Sequence, residues 1–189
     1  ARRTTGMTRR NPFAFPIDYA KTIADDEALV ALFADDGPVA RVAKAAALLA
    51  PEHESVPEGD RRPLSNALDV FWLAALRGGE KRDEAFTLLG VAREDAQALV
   101  ADAAVYDHHH AQREGRAPPA WAGVPFVLEA IARWGDDTAG REARVGEAGG
   151  RLLDVMLRAE DVRRRELRNA RANLARHRKL LAAENVGAA

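Results

Sequence analysis

The sequence contains no cysteine, which excludes disulfides, thiolate metal sites and a cysteine nucleophile. Serine occurs only at Ser55 and Ser65, and neither sits in a GxSxG turn. Gly-rich phosphate loops and HExxH motifs are missing as well. No apolar run approaches the roughly 18 residues that a membrane span requires. The basic start is not followed by the greasy segment of a secretory signal. These absences predict no membrane partner and a place in the cytoplasm, or within a particle assembled there. Aromatic residues make up only 6% of the chain. Alternating strand patterns, Asn-Gly hairpin turns and internal repeats are absent too.

What is present is alanine-rich and helical. Apolar residues reach 47% of the 189 residues, and the abundance of alanine implies closely packed helices with modest burial per residue. Pro12 and Pro16 favour an extended run rather than a helix at the start. Asp18 can cap a first helix over about 18–34. Gly37-Pro38 separates it from a second over about 38–50. The Pro-rich stretch 51–63 reads as a loop. Further helices follow over about 64–77, 80–89, 92–114 and 125–134, with GRAPPAWAG, residues 115–123, as a second loop. A last helix is predicted from about 138 to 184, capped by Asp136, Asp137 or Thr138.

The expected fold is therefore all-α. It is a compact bundle of about six helices with a long, basic C-terminal helix and an extended N-terminal arm. Three regions are expected: an arm over 1–17, an acidic helical domain over 18–135 and the long helix over 136–189.

Charge divides the chain in the same way. The total is −1, but residues 1–10 carry +4 and residues 151–189 carry +5, leaving −10 for residues 11–150. An acidic body with two basic ends suits contact with nucleic acid or with the acidic body of a neighbouring subunit.

Apolar or small residues of the last helix recur at Val145, Ala148, Leu152, Val155, Ala159 and Val162, then at Leu167, Ala170, Leu174 and Leu181. The early steps follow a heptad, but the step from 162 to 167 leaves that register. A period near 3.6 fits the whole set better, so a straight helix is expected. Unbroken, it would be about 70 Å long and would project beyond its own domain. Gly146, Gly149 and Gly150 are the places where it could break, or where another backbone could approach closely.

The stretch YDHHHAQREG, residues 106–115, invites a metal-binding reading. Successive helical residues point about 100° apart, so His108, His109 and His110 do not converge on one ion. Asp107, His110 and Glu114 can share a face, but a carboxylate-x-x-His metal site needs a second such element on a facing helix. None is found. The stretch is read as a polar helix end, and no metal or cofactor is expected.

Residues 83–100 have the outline of a helix-turn-helix, with a turn at Gly90-Val91. Phe86 occupies a position usually given to a small residue. The would-be recognition helix is acidic at Glu94, Asp95, Asp102 and Asp107, which opposes entry among phosphates. An ordinary helical hairpin is the preferred reading.

The termini remain. Arg163, Arg164, Arg165, Arg168, Arg171, Arg176, Arg178 and Lys179 bring planar forks and a point charge suited to carboxylate or phosphate. Phe13 and Phe15 lie between two prolines and suit docking into a groove, on this chain's own core or on a neighbour. The expectation is a non-catalytic helical subunit of a larger assembly, such as a phage-like particle. It would dock on protein subunits of the same or a different chain through these residues. The alternative is an accessory subunit of a nucleoprotein complex whose C-terminal arginines contact phosphates, and a metal-dependent enzyme ranks third.

Overall fold

The computed structural model describes residues 17–187. Nearly all of the arm, with Phe13 and Phe15, lies outside the described residues. Among the described residues the fold is all-α, and its one strand-like feature is an isolated bridge between Asn66 and Met156. None of these helices is long and apolar enough to cross a membrane.

The helices begin and end where local chemistry directs. Helix α1 spans Tyr19–Phe33, and the Asp18 carboxylate accepts from the Lys21 amide at 3.0 Å. This side chain satisfies one of the free amides of the first turn. Gly37 then turns the chain so tightly that a Cβ there would meet the Ala31 carbonyl oxygen at 2.4 Å. Helix α2 follows over Pro38–Leu48 with proline in its first turn.

A short helix α3 covers Ala50–Glu54, of which residues 51–54 fall in the stretch expected to be loop. Pro51 does not prevent it, because the amide that proline lacks is unpaired in a first turn anyway. Helix α4 runs over Ala67–Arg77, with Asn66 accepting from the Asp69 amide at 2.9 Å. Helix α5, Arg82–Leu89, ends at Gly90 in a left-handed conformation (φ 71°), and the Val91 amide closes back to Phe86 O at 2.9 Å. Only glycine takes that conformation at little cost.

Helices α6 (Arg93–Arg113), α7 (Pro125–Trp134) and α8 (Thr138–Leu153) complete the body, and α9 (Glu160–Gly187) follows. The core sits among α2 and α4–α8. Phe71, Phe86 and Phe126 form a chain of rings at centroid separations of 5.5 and 5.7 Å. Around them alanines let helix backbones come close: Ala74, Ala96, Ala98, Ala101 and Ala130 are fully buried. Helix α6 is the hub. Its Gln97, Leu99 and Val100 are buried, and its Glu94 and Asp95 pair with Arg133 and Arg144. From Arg93 to Ala104 only Arg93 of this helix is exposed, which leaves the would-be recognition segment no free face for a DNA groove. Phe86 is core, and α5 packs chiefly against α2 and α4 rather than against α6.

The long last helix is not continuous, a correction to the expectation of one element from 138 to 184. Residues 154–159 leave the helix between α8 and α9. Their backbone finds other partners: Val155 O accepts from the Ala67 amide at 2.9 Å, and the Leu157 amide donates to Ser65 O at 3.0 Å. Val155 and Leu157 meanwhile pack against the core. The helical bonds lost are replaced by pairing with the segment entering α4, and apolar side chains are half-buried there as well. The glycines do not cause the break. All three lie within α8, and a Cβ on Gly149 would touch Leu99 Cδ2 at 3.5 Å, so this residue marks the approach of α8 to α6.

Candidate protein-docking surface

Helix α9 turns back along α1 instead of extending away alone. The pair is antiparallel: Arg163, near the start of α9, donates to Phe33 O at the end of α1, whereas Arg178 pairs with Glu27 further back. On α1 the covered or half-covered positions include Tyr19, Ile23, Asp26, Val30 and Phe33, spaced 4-3-4-3, with Thr22 and Leu32 half-covered beside them. On α9 they include Arg163, Leu167, Ala170, Leu174, His177 and Leu181, spaced 4-3-4-3-4, with Val162 and Glu166 half-covered beside them. Both are heptad seams, the pattern that lets two helices meet along one stripe.

The two ends of this pair differ. Near the body, Phe33 and Leu167 pack with Val39 of α2 in a small cluster that also touches Val30, Leu32 and Val155. Beyond Ala170, α9 has no fully buried apolar residue. The pair there depends on half-covered side chains and on two polar contacts, His177 Nδ1 to Asp26 Oδ2 at 2.7 Å and Arg178 to Glu27 at 2.6 Å.

Arg163 anchors the near end. It is 3% exposed and donates to Phe33 O at 2.6 Å, to Asp35 at 2.8 Å and to both Glu160 oxygens at 2.7 and 2.8 Å. Bidentate charge-assisted bonds of this kind are the strong ones. Hydrogen bonds from Arg163 and Arg164 hold the Glu160 carboxyl down to about 2. Arg163 also lowers Asp35, and the two carboxylates raise the arginine in turn. The expectation that Arg163 docks on a partner is thus corrected: its guanidinium is consumed within the chain.

The other basic residues are placed differently. Arg164, Arg165, Arg168, Arg171, Arg176, Arg178 and Lys179 are all exposed and, at about 100° per residue, are distributed around α9 outside its seam. Three meet carboxylates of their own chain: Arg164 with Glu160, Arg165 with Glu166 at 3.7 Å, and Arg178 with Glu27 at 2.6 Å. Arg168, Arg171, Arg176 and Lys179 have no ion-pair partner among the described residues. These four form the open part of the basic face.

The histidine stretch is divided: His108 and His109 are exposed, while Asp107, His110 and Glu114 meet partners within the chain. Asp107 accepts from the Trp121 indole at 2.8 Å, which ties α6 to the loop beyond it. His110 lies 3.3 Å from Glu114, and Arg116 contacts both. Asp107 therefore does not join the other two, and no cluster of three metal-ligating side chains occurs among the described residues. Comparison of the chain with protein-family models, with curated proteins and with solved structures found no match.

Proposed function

We propose that the protein is a non-catalytic helical subunit of a larger protein assembly, docking on an acidic protein surface through the outward basic face of α9. The observation that supports this is the placement of Arg168, Arg171, Arg176 and Lys179, exposed and without internal ion pairs, on a helix pair whose far half lacks a buried core. Opposite charge on a facing surface steers association and selects the partner. The chain itself offers such a surface, since residues 11–150 carry −10. Phe13 and Phe15 of the arm supply apolar anchors to the same docking.

The test is the mass in solution at low and at moderate salt, for the full chain and for a variant R168E/R171E/R176E/K179E. The full chain forms a species larger than the 20.5 kDa monomer at low salt, and the variant does not. A monomer under every condition overturns the reading.

The same four cations support a second reading, contact with nucleic-acid phosphates. They span about 16 Å of helix at 1.5 Å per residue. A subunit making four phosphate contacts on a single strand would lose affinity with a log–log salt slope of about −3. The acidic body disfavours this partner, so assembly with protein comes first.

A further inference from the structure

Away from α1 and α9, a cleft of about 630 Å³ opens between α4 and α6. This volume falls in the range of roughly 300–1,000 Å³ typical of small-molecule sites. The cleft reaches down to the core, since the buried Val100 and Val127 belong to its lining. Trp72 and Leu76, neighbours on one face of α4, and Trp121, from the loop after α6, add half-buried apolar surface.

Bonds within the chain hold this lining in shape. In the loop before α4, His53 Nε2 meets Arg62 O at 2.8 Å, and Arg61 donates to Glu54 O at 2.7 Å and Val56 O at 3.0 Å. Beyond α6, the Trp121 indole donates to Asp107 Oδ2 at 2.8 Å. The cleft is thus formed before any ligand arrives, which lowers the ordering cost of binding.

Charge decides the class of ligand. Asp60, Asp69 and Asp107 line the cleft together with Arg62 and Arg77. None of the five belongs to an ion pair among the described residues. A ligand of either sign therefore meets a like charge, besides losing its own hydration against the apolar wall. A neutral ligand avoids both costs.

The carboxylates of the wall already take neutral donors. Asp69 accepts from the Ser65 amide at 3.0 Å and hydroxyl at 2.7 Å, and Asp107 accepts from an indole. Asp107 Oδ1 has no hydrogen-bond partner among the described residues. It can receive one more N–H or O–H beside Trp121.

We propose that this cleft binds a small neutral aromatic molecule carrying an N–H or O–H. Its ring lies on Trp72, Leu76 and Trp121, and its donor meets Asp107 Oδ1. This proposal does not depend on the docking role of α9.

The test titrates indole, 1-methylindole, indole-3-acetate and tryptamine into the isotope-labelled full chain, followed by proton–nitrogen correlation spectra. Indole saturates one site and shifts the side-chain signals of Trp72 and Trp121, while that of Trp134, outside the lining, stays. 1-Methylindole keeps the ring but lacks the donor, so it binds about tenfold or more weakly, as loss of a hydrogen bond to a charged group requires. The anion and the cation each bind more weakly than indole. Ala103 also lines the cleft, and Ala103→Phe fills it and removes the shifts, with circular dichroism as the check on folding. Should that variant not fold, the four probes on the full chain decide alone. No saturable binding of indole, equal affinity for 1-methylindole, tighter binding of either charged probe, unchanged binding in a folded Ala103→Phe, or a shift confined to Trp134 would each overturn the proposal.

Discussion

Asp26 on α1 and His177 on α9 stand 151 residues apart in sequence, yet Oδ2 of one lies 2.7 Å from Nδ1 of the other. Both side chains are mostly covered, at 9% and 16% exposure. They occupy positions of a heptad seam that is otherwise apolar or small through this half of the pair. A polar pair at such positions specifies register, because sliding one helix past the other strands both groups away from water.

Truncating one member tests this directly. Asp26→Ala leaves the imidazole without its partner and destabilises the protein by about 1–3 kcal/mol. The double variant D26L/H177L replaces the pair by apolar contact and is near neutral or more stable. Urea unfolding of D26L, H177L and the double variant D26L/H177L separates the outcomes. Additive losses would contradict the coupling.

Arg163 is the second test. Arg163→Ala strands Phe33 O and frees α9 from the loop after α1, with an expected loss of about 1–3 kcal/mol. Arg163→Lys keeps the charge but not the planar fork and restores only part of the stability. By contrast, Arg168→Ala and Lys179→Ala change stability by less than about 0.5 kcal/mol, as exposed side chains without partners do. Thermal unfolding of the four variants gives the comparison.

The pH response follows from Glu160. Its carboxyl is held at about 2 in the folded chain, against an ordinary value of 4.5. A group lowered on folding adds stability above the ordinary value, and that contribution disappears as pH falls through the folded value. Asp35 is shifted in the same direction by the same arginine. Stability from this cluster is therefore complete above about pH 4.5 and lost towards pH 2. Melting temperatures of the full chain and of Glu160→Gln, measured over that range, should converge as the pH drops.

Glycines inside α8 give opposite predictions from one at a turn. A Cβ at Gly146 or Gly150 meets nothing within 4 Å, so alanine at either position stabilises the helix by about 0.5–1 kcal/mol. Gly37→Ala drives its new methyl against the Ala31 carbonyl and is destabilising. Chemical denaturation midpoints check the signs.

Local signals announced most of the helices because the groups that start and stop them are neighbours in sequence. Asp18, Asn66 and Asp137 cap the helices that follow them, and Gly90 and Gly115 adopt positive φ at helix ends. Pro51 misled because proline marks a loop or a first helical turn equally well, and only the chain around it selects one.

The division of the basic residues was not legible. On α9 alone, Arg163 and Arg164 are adjacent cations of the same kind. The first is buried and the second exposed only because α1 lies against one side. Nor does any local pattern bring His177 to Asp26, or Arg62 and Trp121 to one cleft.

By itself the sequence determined the all-α class, the helix caps and the excess of positive charge towards the C-terminus, since composition and short-range hydrogen bonding act within a few residues. Only the tertiary structure decided where the last helix ends and which arginines remain open. Residues 154–159 leave the helix because Ser65 and Ala67 offer replacement hydrogen bonds. A guanidinium stays free only where no carboxylate from elsewhere in the chain comes within reach. The break in the helix and the capture of Arg163 by Asp35 and of Arg178 by Glu27 depend on contacts between residues about 90 or more positions apart, and such contacts exist only once the chain has packed.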